Sequence, residues 1–88
     1  MNEFNVTAGD EELEYIRQIA REMTSAFGID PDEAVGRIRR FWGGQEFASK
    51  YAAMALWHKT VYSWARHIYY GGQMWWLDGA APEPDSYP

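Results

Sequence analysis

The chain has 88 residues, a net charge of −5 and no cysteine. So short a chain makes one domain with little surface to bury, and the lack of cysteine excludes disulfides, thiolate metal sites and a cysteine nucleophile. The acidic start MNEFNVTAGDEELE has neither a basic nor an apolar leader region. No window approaches the roughly 18 apolar residues of a membrane span, so the sequence predicts a soluble cytoplasmic protein without a membrane partner.

Residues 1–9 read as an N-terminal arm, residues 10–77 as a single helical domain and residues 78–88 as an acidic, proline-rich tail. In the first helix, predicted over 10–27, Leu13, Ile16, Ala20, Met23 and Phe27 recur at spacings of three and four. Thr7 with Asp10 offers a capping box, acids fill the first turn, and Gly28 stands at the C-terminal cap position. The second start signal is Asp30 as N-cap with Pro31 after it and Glu33 three residues on, positioned to reach back to the Asp30 amide. Ala34, Val35, Ile38, Phe41 and Trp42 form the apolar face of this helix, and Gly43-Gly44 stops it. The short link at 28–30 makes the two helices neighbours.

A third helix is predicted from Glu46 to about Trp57, with Phe47, Tyr51, Met54 and Ala55, and His58 at its end, sharing one side. Thr60 then caps a fourth, running to Tyr70, with a break at 58–60 rather than one long bent helix. Val61, Trp64, Ala65 and Ile68 are its core stripe. Gly71-Gly72 ends it, and Trp75-Trp76-Leu77 is expected to fold back as an irregular cap. Residues 57–76 hold four of the five tryptophans, which marks them as the centre of the fold. Prolines at 82, 84 and 88 predict an extended or disordered tail in which Tyr87 is the candidate anchor. The fold class is thus all-α, a small bundle of about four short helices with an aromatic core.

With GIDPDEAVGRIRRFWGGQ, WARHIYYG and the paired tryptophans, residues 28–77 resemble a loose set of small actinobacterial and actinophage proteins. The resemblance implies a recurring small domain in a bacterial or phage cytoplasm. It transfers no catalytic residue.

The sequence carries little that looks like chemistry. His58 and His67 are nine residues apart, which on one helix is roughly 900° and puts them on opposite sides. Neither sits in a metal-binding pattern, so no metal and no cofactor are predicted. Ser63 and His67 lie within reach at i, i+4, but no strand-to-helix elbow exposes the serine. The glycine pairs follow helices, whereas phosphate-cradling glycines precede one. Trp75-Trp76 is read as core closure first and as a stacking platform second.

Charge is the stronger lead. Residues 1–36 carry net −7, residues 37–67 net +5 and residues 68–88 net −3. Arg37 has Glu33 four residues before it, whereas Arg40 has no acid at a comparable spacing in its own helix and is free to meet a carboxylate or phosphate. The expected function is therefore a non-catalytic protein-binding module, an adaptor, regulator or inhibitor, that sets a basic and aromatic face against an acidic partner surface. The partner-binding residues predicted are Arg37, Arg40, Lys59, Arg66, His67, Tyr70 and Trp76. Two alternatives stay open: a nucleic-acid-binding regulator acting through the basic segment 37–67, and a small enzyme or ligand carrier using His67 and the aromatic pocket. A homo-oligomer is compatible with each of these.

Overall fold

The computed structural model describes residues 2–77, 79 and 82–88. Asp78, where the tail was expected to begin, lies outside the described residues, as do Ala80 and Ala81. Four helices follow one another: α1 Asp10–Phe27, α2 Pro31–Trp42, α3 Lys50–Trp57 and α4 Val61–Tyr69. Among the described residues there is no strand, only one isolated bridge between Thr7 and Glu46. Among the described residues no helix is long and apolar enough to cross a membrane.

The local signals at the helix ends work as the sequence predicts, with two exceptions. Asp30 caps α2 by accepting from the Asp32 amide, and Thr60 caps α4 by accepting from the Ser63 amide. Gly28 adopts the left-handed conformation and donates to the Thr24 carbonyl, closing α1. The first exception is the start of α1, where Gly9 is the cap residue and no side chain caps it. Thr7 is unavailable because its backbone is committed to the bridge, receiving the Phe47 amide at 2.6 Å and donating to Gln45 O at 3.0 Å. The second is Glu33, whose carboxylate turns to Arg37 rather than back to Asp30.

α1 packs against α4 and α2 through Ile16, Ile19, Ala20 and Met23. The largest fully buried side chains are Phe4, Ile16, Ile19, Met23, Ile38 and Leu56. Aromatic rings surround this aliphatic centre. Trp42 meets Trp64 edge to face at 4.8 Å and Phe47 at 5.3 Å, while Phe27 and Tyr69 stack at 3.8 Å. Trp64 is half-buried, its indole N–H donating to Leu56 O at 2.8 Å. The expectation that residues 57–76 form the centre is thus corrected, since Trp57, Tyr62 and Trp76 are exposed and the buried tryptophan is Trp42.

The N-terminal arm is also corrected. Phe4 is 1% exposed and Val6 is buried beside it, so this segment supplies two side chains to the core. Asn2 shapes this segment, its side chain accepting from the Phe4 and Val6 amides and donating to Val6 O. Glu3 fastens it to α1 and α2. Its carboxylate receives Arg17, and its carbonyl receives Nε and Nη2 of Arg39. The hydrogen bond from Arg17 holds the Glu3 carboxyl below the usual range. A depressed carboxyl contributes stability that is present at neutral pH and lost as pH falls through its folded value, so this tie loosens in acid.

α3 is the third correction. It begins at Lys50 because Ser49 caps it, accepting from the Ala52 amide while its own amide donates to Glu46. Leu56 is its buried residue, whereas Tyr51, at 86% exposure, and Met54 face outward.

Candidate functional site

The basic residues of α2 are all engaged within the chain: Arg39 and Arg40 are exposed but bonded to Glu3 and to the Asp85-Ser86 segment, and Arg37 is buried. Arg37 is 4% exposed, held by Glu33 at 2.9 Å and lying 4.8 Å from the Tyr69 ring centre. Its Nη1 donates to Asp85 O at 2.9 Å and reaches Tyr69 O at 3.4 Å. The last turn of a helix leaves carbonyls without helical partners, and Tyr69 O is satisfied from outside: it accepts the Asp85 amide at 2.9 Å. One turn further along α2, Arg40 donates to Ser86 O at 2.8 Å and forms an ion pair with the Asp85 carboxylate at 3.1 Å. The carboxylate that Arg40 was expected to meet is the chain's own.

Tyr87 completes the contact, its ring centre 5.3 Å from each of the two guanidinium carbons. Its hydroxyl rests on the backbone of Gly36, where any Cβ would overlap it. Upstream, Gln73 Nε2 bridges Tyr70 O and Glu83 O and so fixes the returning chain. Residues 82–88 form no helix or strand, and Tyr87 is their anchor.

The other predicted site residues divide among separate surroundings. Arg66 pairs with Glu22 of α1 at 2.9 Å and lies 3.4 Å from the Tyr62 ring centre, so it clamps α4 to α1. Tyr70 packs edge-on to Phe27 and Tyr69. Lys59, His67 and Trp76 come together with Ser63 and Trp75 around a cavity of about 290 Å3. Burial, and then the Lys59 ammonium, push the His67 imidazole below its ordinary value, leaving it neutral at neutral pH. His58 is exposed and outside both places. Among the described residues no group of His, Asp and Glu could hold a metal ion.

Reasoning from sequence missed Gly36, Tyr69 and Asp85. Gly36 carries the one signal that could have found them: a glycine inside a helix costs about 1 kcal/mol against alanine and is kept where something approaches closely. Gly36→Ala should therefore raise the intrinsic stability of α2 while displacing the Tyr87 ring. The expected result is an unchanged or higher melting midpoint together with faster hydrogen exchange at the Asp85 amide. Unchanged exchange at Asp85 would mean that Tyr87 does not hold the tail.

No protein-family model matches the chain, and no curated protein or solved structure matches it either.

Proposed function

We propose that this chain is a small non-catalytic protein-binding module, an adaptor, regulator or inhibitor of the bacterial or phage cytoplasm. Its Arg37 and Arg40 face takes an extended, acidic, tyrosine-bearing segment of a protein partner. The observation that carries this reading is the present occupant of the face, an Asp-Ser-Tyr segment bound without helix or strand of its own. Guanidinium donors on the main-chain carbonyls of Asp85 and Ser86 read backbone and tolerate many side chains. The Asp85 carboxylate on Arg40, and a ring two residues later over both guanidiniums, supply selection. An acidic partner segment with an aromatic residue two positions after the acid would make the same contacts.

The alternatives find less support. Arg37, Arg40 and Arg66 are each paired with a carboxylate, and Arg39 donates to the Glu3 carbonyl. Cations so engaged have little left to neutralise phosphates. Ser63 Oγ is bonded to Thr60 Oγ1, and among the described residues no hydrogen bond joins it to His67. The serine therefore lacks the base that hydrolytic chemistry needs.

In this reading the tail competes with the partner. A tethered ligand on a short flexible link acts at an effective concentration on the order of millimolar, so a partner must exceed that competition. The test empties the face in the full chain with Asp85→Ala and Tyr87→Ala and titrates a labelled synthetic peptide of residues 82–88. The emptied variant should bind the peptide at least about tenfold more tightly than wild type. Adding Arg40→Glu should abolish binding. An emptied face that ignores the peptide overturns the proposal.

A further inference from the structure

Beside α4 lies the cavity of about 290 Å3 lined by Lys59, Ser63, His67, Trp75 and Trp76, none of which contributes to holding the tail. Three parts of the chain build it: the 58–60 turn, the outer side of α4 and the 73–76 loop. Lys59 is fixed at its backbone, where its carbonyl accepts the Tyr15 hydroxyl at 2.6 Å. Its ammonium lies 5.7 Å from the Trp64 ring centre and makes no ion pair among the described residues. Ser63 and His67 stand one turn apart on α4. The Ser63 oxygen accepts from Thr60, which leaves the serine proton to donate elsewhere. Trp75 and Trp76 meet at 88° with centres 5.8 Å apart, and both line the cavity.

Among the described residues no acid lines this cavity, and with His67 neutral the Lys59 ammonium is the one charge they bring to it. A single cation, a hydroxyl donor and perpendicular indoles match a ligand with one negative charge and a flat ring. A phosphate ester would bring nearly two charges to one cation. The volume sits at the low end of the roughly 300–1,000 Å3 of small-molecule pockets, which suits one ring rather than a nucleotide. We propose that the cavity binds a small aromatic carboxylate, with the carboxylate on Lys59 and Ser63 and the ring against Trp76. This site is independent of the peptide-binding reading.

The probe is benzoate, titrated into the full chain while amide shifts are followed by NMR. Saturable shifts are expected at residues 59, 63, 67 and 76. Acetate, which has the charge without the ring, and benzylamine, which has the ring with the opposite charge, should bind at least about tenfold more weakly. Lys59→Met should weaken benzoate by about tenfold. Trp76→Leu, at an exposed indole that the fold does not need, should weaken it too and keeps the test open if Lys59→Met fails to fold. In wild type, bound benzoate should also raise the His67 titration midpoint, because a neighbouring anion favours the imidazolium. Benzoate that never saturates, acetate or benzylamine that binds equally well, or an affinity that survives both substitutions overturns the proposal.

Discussion

Phe4→Ala should lower stability by about 3–5 kcal/mol, the cost of emptying a phenylalanine-sized site in a closed core. The residue lies near the chain end, where substitutions are ordinarily harmless. Here the segment is tied on both sides. Asn2 folds it locally, Gly44 donates to Asn5 O at 2.8 Å, and Arg17 and Arg39 hold Glu3 against the two longest helices. Phe4 cannot relax outward without breaking these ties, so the cavity would persist. Small domains have about 5–15 kcal/mol in all, and each kcal/mol moves the midpoint of a chain this size by roughly 4–8 °C. A fall well beyond 10 °C is therefore the expected reading in a thermal melt, by the same conversion. A loss of less than about 1 kcal/mol would show that residues 2–8 peel away from the core in solution.

What the sequence disclosed and what it hid follow from the range of the interactions. Asp30 with Pro31, Gly28 and Thr60 act on backbone groups within four residues, so their meaning survives without knowledge of the fold. The amphipathic face of α1 is legible because charged residues occupy its other sides. α3 failed because KYAAMALW is apolar nearly all round, and periodicity cannot select an inward face where no polar face opposes it. Its orientation is set instead by Leu56, the residue that reaches the core.

The candidate site was legible in type and hidden in geometry. An arginine without an acid one turn away in its helix, Arg40, does meet a carboxylate, but one 45 residues away in the chain. Asp85 and Tyr87 sit among prolines in a stretch whose composition speaks only of extension. Their places come from the end of α4 and the gap over Gly36, which exist only once the helices have packed. The seven predicted residues separate because Arg66 and Tyr70 turn toward α1, while Lys59, His67 and Trp76 gather around the cavity.

Arg37 and Arg40, which share one face of α2, should part in their effect on folding. Arg37→Ala removes a buried guanidinium and its packed stem, leaving Glu33 without its ion-pair partner and the Asp85 carbonyl without its donor. Hydrogen bonds to a charged group are worth about 1.5–3 kcal/mol, and loss of the buried stem adds to that, so a cost of about 3 kcal/mol is expected. Glu33 is partly exposed and recovers some hydration, which keeps the figure at the lower end for a broken buried pair. Arg40→Ala removes a half-exposed pair and should cost under about 1 kcal/mol. Both substitutions release the tail, since each arginine holds a carbonyl of the Asp85-Ser86 segment. Hydrogen exchange at the Asp85 amide should accelerate in both variants, while chemical denaturation shifts strongly in Arg37→Ala alone. Equal losses of stability would make Arg40 as much a part of the core as Arg37. Unaltered exchange in both would remove the tail from the basic face, and with it the occupant on which the peptide-binding reading stands.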